Sequence, residues 1–276
     1  MKIAVTGGSG FIGRNFINYI QKKKNVDIVN IYNKNNLKHP RVKNIKLDLN
    51  KKIDKNIFIK LGRPEYLIHL AWSELDNYDS KTHFKTYRNH LNFLKKFKNT
   101  NIKKIFILGT CSEYGKRNGE LRESFKSKPL NNYAKSKDRL RNSLQKYFSK
   151  DKIVILWGRL FYVFGEGQNE RTLFGQINNA ITMKKKYFNM SKGNQIRDYL
   201  DVKDVAKLLF RVLESTKKTT IINICSGKPI SLKNLIKKWL KKRKSKLNIK
   251  YGYYRNSKKE ADRFWGSVTK LKKITK

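Results

Sequence analysis

The sequence predicts an α/β fold: a doubly wound parallel sheet with a smaller C-terminal α/β lobe. Three observations carry this. Strand-like and helix-like segments alternate over the first two-thirds of the chain. A glycine-rich turn follows the first strand. The last third keeps helical and strand periodicity but in a less regular order. At 276 residues the chain is long enough for both parts and for a sizeable core.

The elements follow in order. Ile3-Ala4-Val5 reads as a short buried strand. Phe11, Ile12, Phe16, Ile17 and Ile20 then recur at helical spacing. Strands are predicted over 26–32 and 45–49, and at 66–71, where YLIHLA is an unbroken apolar run of the kind covered on both faces. A helix over about 80–98 precedes a strand at 105–108. A helix over 131–149 precedes a strand at 153–157. Beyond 164 come a helix near 170–184, a short strand around Phe188, a helix over 202–213, a strand at 221–224 and a helix over 231–243. The basic run at 237–246 reads as a solvated helix face and the residues just after it. Phe264 and Trp265 argue that the last twenty residues are more than a tail. No internal repeat or flexible linker interrupts the chain.

The turn Thr6-Gly7-Gly8-Ser9-Gly10-Phe11-Ile12-Gly13 lies between a strand and a helix, the context that makes a glycine pattern informative. Gly7 permits the tight turn, Gly10 lets the backbone approach a pyrophosphate, and Gly13 lets helix pack closely on strand. The helix N-terminus then favours phosphate charge. This predicts a dinucleotide-binding Rossmann domain over 1–164. Residues 165–276 form mainly a substrate-binding lobe, with some segments returning to the first domain. An acid at the end of the second strand would mark NAD, and a basic residue there NADP. The stretch Asn30-Ile31-Tyr32-Asn33-Lys34-Asn35 has no acid, and Lys34, Lys38 and Arg14 are nearby cations. The cofactor is thus read as NAD or NADP, with a lean to NADP.

Tyr133 and Lys137 are four apart on a predicted helix, so they share one face. A free tyrosine, with a pKa of about 10, is a poor acid or base at neutral pH. A nearby ammonium, aided by an oxidised nicotinamide, lowers that value by favouring the phenolate. Tyr133 can then exchange a proton with a carbonyl or carbinol oxygen while hydride moves. At the end of the fifth strand, Thr110 and Ser112 each offer a hydroxyl to the same oxygen, because ligands of such sheets bind at strand carboxyl ends.

Composition narrows the setting. The formal net charge of +45 invites nucleic acid, anionic membrane or phosphorylated partners. Lysine and asparagine share A-rich codons, however, and the lysines are spread along the whole chain. An AT-rich genome accounts for that without a partner, so no specific nucleic acid and no membrane is expected. Cys111 and Cys225 form no metal-ligand spacing and no disulfide framework, so no metal is expected. The N-terminus lacks the apolar core of a signal peptide, and no apolar stretch spans a bilayer. A cytoplasmic protein is expected.

With these residues placed, the chain resembles the extended short-chain dehydrogenase/reductase family of nucleotide-sugar epimerases, dehydratases and ketoreductases. The likeness covers nearly its whole length. It rests on TGGSGFIG at 6–13, Asp48-Leu49, His69-Leu70-Ala71, GTCSEYG at 109–115 and YAKSK at 133–137. It continues through GRLFYVFGEGQ at 158–168, RDYLDVKDVA at 197–206 and NICSGKPISL at 223–232. The resemblance implies that Gly7, Gly10, Phe11, Ile12 and Gly13 cradle the dinucleotide phosphates. Asp48 and Leu49 would contact adenine, and Ala71 would line the cofactor cleft. Thr110 would take the catalytic hydroxyl position, Tyr133 would be the acid/base, and Lys137 would bind the nicotinamide ribose. Ser112 would face the substrate, and Arg197 would grip its pyrophosphate. A homodimer through the helix carrying Tyr133 and its neighbour is also implied.

Two departures narrow the reaction. Sugar 4,6-dehydratases of the family carry an Asp-Glu pair after the catalytic threonine, where this chain has Cys111 and Ser112. Typical epimerases place an asparagine where this chain has Tyr162. A subset with Ala71-Trp72, Asn77-Tyr78, His83 and Phe264-Trp265-Gly266 is similar to 4-ketoreductases of nucleotide-linked 4-keto-6-deoxysugars, in routes to surface polysaccharide. The expectation is therefore NAD(P)H-dependent reduction of such a sugar. A nucleotide-sugar epimerase with tightly bound NAD is the alternative, and a dinucleotide-sensing binding protein a third reading. Substrate choice would lie in loops around 75–85, 165–195 and 250–265.

Overall fold

The computed structural model describes residues 1–255 and 261–276; residues 256–260, within one of the predicted specificity loops, lie outside the described residues. The chain opens with β1 (Lys2–Thr6), α1 (Phe11–Ile20), β2 (Asp27–Tyr32) and β3 (Val42–Lys46). A short α2 (Ile57–Lys60) leads to β4 (Tyr66–His69), α3 (Thr82–Lys95) and β5 (Lys104–Thr110). A single 3-10 turn, Cys111–Tyr114, and β6 (Gly119–Leu121) precede α4 (Asn132–Tyr147) and β7 (Val154–Leu160). Then come β8 (Tyr162–Phe164), α5 (Leu173–Thr182), β9 (Tyr187–Ser191), β10 (Ile196–Asp201), α6 (Val202–Ser215) and β11 (Thr220–Ile224). The chain closes with β12 (Pro229–Ser231), α7 (Leu232–Lys242), β13 (Asn248–Tyr254), β14 (Phe264–Gly266) and α8 (Thr269–Thr275).

Seven strands form one parallel sheet in the order β11-β7-β5-β4-β1-β2-β3. Alternation along β1 explains the double winding. Ile3 and Val5 point to one face, where they meet Phe16, Ile17 and Ile20 of α1 and Val205, Leu209 and Leu213 of α6. Ala4 points to the other, where Phe93 and Leu94 of α3 and Leu140 and Leu144 of α4 gather. The chain runs from β1 outward to β3, then returns to add β4 on the opposite side of β1. That reversal creates a crevice at the carboxyl ends of β1 and β4.

The smaller sheets are β12-β10-β8, the pair β13-β9, and the pair β14-β6. Trp239 of α7 packs edge-on against Phe164 and Phe174, each 5.7 Å away, in a second core. β11, near the end of the chain, lies in the large sheet beside β7. The Lys/Arg run of α7 occupies its exposed face, while Leu232, Leu235, Ile236 and Trp239 face inward.

Two boundaries differ from the sequence expectation for identifiable reasons. The third strand starts at Val42 and stops at Lys46, because its register against β2 runs from Ile28↔Val42 to Tyr32↔Lys46. Leu47 and Leu49 continue the apolar alternation, but the chain turns at Asp48, whose Oδ1 accepts from the Asn50 amide at 2.9 Å. The fourth strand ends at His69, because Leu70 and Ala71 leave the sheet to pass beneath Gly7. The short strands β6, β8, β12 and β14 were not legible, since three residues carry no periodicity.

Asp198 of β10 joins the second half together. Its buried carboxylate accepts from Ser226 N and Ser226 Oγ, both at 2.7 Å, from Gly227 N at 2.8 Å and from Gly266 N at 3.3 Å. One side chain thus ties β10 to the loop after β11 and to β14. Asp198→Ala leaves those donors without an acceptor and should cost about 3 kcal/mol or more in urea unfolding. Retention of the wild-type urea midpoint would show that the joint is not a structural constraint.

Candidate active site

The glycine turn brings backbone close to backbone. A Cβ on Gly7, whose φ is +71°, would lie 2.7 Å from Ala71 N, and one on Gly13 would lie 2.1 Å from Gly7 O. Only glycine permits either approach. Gly10 caps α1 with no side-chain partner, and the first turn holds no acid. The amides of Phe11, Ile12 and Gly13 therefore begin a helix whose N-terminus is left to an anion. Ala71 lines the same crevice, with its amide 3.3 Å from Thr6 Oγ1. Leu49 is buried in the core under β2 and β4, and Asp48 is half-buried above it, capping its own turn.

A buried chain of polar groups runs below the turn. Thr6 Oγ1 meets His69 Nδ1 at 2.8 Å, and His69 Nε2 meets His90 Nδ1 at 2.8 Å. Because Thr6 Oγ1 already accepts from Ala71, its proton can serve His69 Nδ1, and His69 Nε2–H then donates to His90. Burial drives His69 well below the usual histidine range and His90 down to about 3, so both rings are neutral at pH 7.

Tyr133 and Lys137 share a face of α4, as predicted. Lys137 is 2% exposed, and its ammonium donates to Leu108 O at 2.8 Å and sits 3.9 Å from the centre of the Trp72 ring. Burial lowers its pKa to about 7, partly offset by the attraction of Glu113. The Tyr133 phenol is shifted upward, first by burial, then by Tyr78, Glu113 and Cys111, while a hydrogen bond with Thr110 acts the other way. This differs from the sequence expectation of a lowered value. Within the chain's own residues, burial outweighs the hydrogen bond with Thr110.

Three aromatic rings surround Tyr133. Tyr78 stacks on it at 5.0 Å and 19°, with His83 at 5.5 Å and Trp72 at 6.0 Å. Trp72 Nε1 donates to His83 Nδ1 at 3.2 Å, which leaves His83 Nε2–H to donate to Asn77 O at 2.9 Å. The 73–81 loop is strapped to the start of α4 by Tyr133 N to Tyr78 O and Asn132 Nδ2 to Asp79 O. Thr110, at the end of β5, accepts from Ser112 N at 3.2 Å through Oγ1. Arg197 lies in the β12-β10-β8 sheet, where it donates to the carbonyls of Ile196 and Asp262 and stacks 4.5 Å from the Phe264 ring. Tyr162, at the predicted departure from the epimerases, packs against Tyr199 and Phe264.

Residues 3–225 match the NAD dependent epimerase/dehydratase family. The chain belongs to that family. It is 26% identical over 276 residues to the dTDP-6-deoxy-L-talose 4-dehydrogenase (NAD(+)) of Aggregatibacter actinomycetemcomitans, covering 97% of this chain and 100% of the relative. It is 28% identical over 232 residues to the GDP-6-deoxy-D-talose 4-dehydrogenase of the same organism, covering 82% and 75%. The fold is also that of the UDP-glucuronic acid 4-epimerase of Bacillus cereus, solved with UDP-glucuronic acid and NAD. That match has a TM-score of 0.85 at 20% identity and covers 100% of this chain and 93% of the other.

This epimerase/dehydratase-family chain fits a dinucleotide at the β1–α1 turn, where the glycine approaches and the uncapped helix start provide the cradle. At the adenosine end the predicted cations separate. Lys34 and Lys38 are exposed beyond β2, whereas Arg14 donates to Gly167 O at 2.9 Å and so braces the 165–168 loop. Sequence reasoning assigned no role to the His69–His90 pair, to the rings around Tyr133 or to Glu113. Trp72, Tyr78, His83 and Glu113 stand in motif stretches of the sequence, but nothing in their spacing shows that they meet Tyr133 or Thr110. Among the described residues, no helix is long and apolar enough to cross a membrane.

The neutral histidines predict a pH dependence. His90 binds its proton in the unfolded chain near pH 6.5 but in the folded protein only near 3. Between these values the unfolded state holds more protons, so stability rises with pH. His90→Gln should remove about 1.4 kcal/mol per pH unit from that slope between about pH 4 and 6. Urea unfolding across this range, with parallel profiles for both proteins, would contradict the buried neutral pair.

Proposed function

We propose that the protein is an NAD(P)H-dependent reductase of a nucleotide-linked 4-keto-6-deoxysugar. The observation that carries this is Tyr133, Lys137 and Thr110 together at the end of β5, with Cys111 and Ser112 where a dehydratase needs acids. The two relatives named as 6-deoxytalose 4-dehydrogenases support redox chemistry at C4. The missing acid at the end of β2, with Lys34 exposed beyond it, supports NADPH over NADH. The buried thiols of Cys111 and Cys225, which form no disulfide with each other, support a reducing, cytoplasmic setting.

A nicotinamide cofactor held at the β1–α1 glycine turn would supply the hydride for the keto carbon. Tyr133 donates its phenolic proton to the keto oxygen, and the two together give the secondary alcohol. Burial alone holds the phenol protonated and weakens it as an acid, so proton transfer depends on the negative charge that develops on the keto oxygen as hydride arrives. Thr110 Oγ1 holds the same oxygen against Tyr133. Lys137, with a pKa near 7, returns a proton to the phenolate and resets the site. The family resemblance supports Ser112 and Arg197 as substrate contacts, although Arg197 is 3% exposed and already donates to the Ile196 and Asp262 carbonyls, and it supports Asp48, Leu49 and Ala71 as the residues along the cofactor cleft.

The test is cofactor oxidation with dTDP-4-keto-6-deoxyglucose and its CDP and GDP counterparts. Turnover of one of them by NADPH or NADH is expected, and silence with all three would sink the reading. An epimerase would instead retain NAD through purification and show no net redox change. Tyr133→Phe should lower kcat by about 100- to 10,000-fold with dinucleotide binding intact. Because Lys137 must be an ammonium to return the proton, kcat for reduction should fall as pH rises through about 7. A profile flat from pH 6 to 9 would exclude Lys137 as that donor.

A further inference from the structure

We infer that Glu113 is a positioning residue: its buried carboxylate clamps the Thr110 amide and so sets where the Thr110 hydroxyl meets Tyr133 and the substrate oxygen. The inference rests on the Tyr133, Lys137 and Thr110 reading above.

Glu113 is fully buried. Oε1 accepts from Thr110 N at 2.9 Å and from Trp157 Nε1 at 3.0 Å, and Oε2 accepts from Arg159 Nε at 2.9 Å. Arg141 of α4 approaches the same oxygen at 3.9 Å. Arg159 is itself held, with a guanidinium nitrogen 2.7 Å from Ser127 Oγ and its plane 4.3 Å over the Tyr114 ring. Thr110 is therefore fixed at two points: its amide by Glu113 and its hydroxyl oxygen by the Ser112 amide. The packing tolerates nothing larger at the neighbouring Gly109, where a Cβ would lie 2.2 Å from Trp157 Nε1 and 2.5 Å from Glu113 Oε1.

Filling this volume does not require a charge. Desolvating a carboxylate and a guanidinium is costly, and apolar residues of similar size often serve stability as well or better. Only an acceptor, however, can hold the Thr110 amide. A displacement of about 1 Å at a reacting group can cost about 100-fold in rate.

Two double variants separate the clamp from the ion pair. Both E113L/R159M and E113Q/R159M remove the two charges together, and both withdraw the same anion from Lys137 and Arg141, so the difference between them isolates the acceptor. Only the second keeps an acceptor for Thr110 N. E113L/R159M should lower kcat by about 10- to 100-fold, with sugar-nucleotide KM and dinucleotide Kd within about threefold of wild type. E113Q/R159M should recover most of that loss. Hydrogen exchange at the Thr110 amide, read by NMR, should be slow in wild type and E113Q/R159M and fast in E113L/R159M. This readout needs no turnover. Inactivity of the wild type would therefore count against the reductase reading, while the exchange rates still decide the clamp. Should E113L/R159M not fold, E113M/R159M carries the same comparison. Wild-type kcat and slow Thr110 exchange without the acceptor would overturn the inference, as would failure of E113Q/R159M to recover.

Discussion

Parallel pairing of β1 with β4, and of β4 with β5, brings three loops to one rim of the sheet. The glycine turn leaves β1, the Ala71-Trp72 segment leaves β4, and the Thr110–Tyr114 turn leaves β5. Their spacing is set by backbone hydrogen bonding across a sheet buried on both faces, so none of them can drift independently. The close approach of Gly7 to Ala71 is a direct consequence, as is the Lys137 bond to Leu108 O. The crevice exists because the chain reverses its direction of strand addition at β1.

Charge is handled sparingly around that crevice, despite the formal net charge of +45. Lys137, Arg159 and Arg141 converge on one region around the fully buried carboxylate of Glu113. His69 and His90 stay neutral, so they add no further cation beneath the site. Trp72 offers Lys137 a ring face in place of an anion. Burial brings the lysine down to about 7, into the physiological range, where an ordinary lysine would stay charged.

The second half of the chain depends on a different buried acid. Asp198 gathers four donors from two distant segments, and Arg197 beside it stacks on Phe264 of β14. The motifs RDYLDV, SGK and FWG are thus one structural joint, though they are spread over some seventy residues. Arg14 reaches from α1 to Gly167, so the cofactor side and the loop after β8 are also tied.

The strand–helix alternation, the glycine turn and the Tyr133–Lys137 spacing were legible in the sequence, because each depends on neighbours within a few residues. Local periodicity also placed α4, α6 and α7 to within a few residues of their ends. The same locality misled at 45–49, where apolar alternation outlasts the register with β2. It also gave Glu113, Tyr78 and His83 only as members of motifs, with no sign that they gather around Thr110 and Tyr133. By itself the sequence determined the fold class and the family, and it placed Tyr133 and Lys137 on one helix face. Only the tertiary structure decided how strongly the Tyr133 proton is held. The pKa values of Tyr133 and Lys137 follow from burial and from groups brought in by other elements, and neither quantity is encoded in a spacing along the chain.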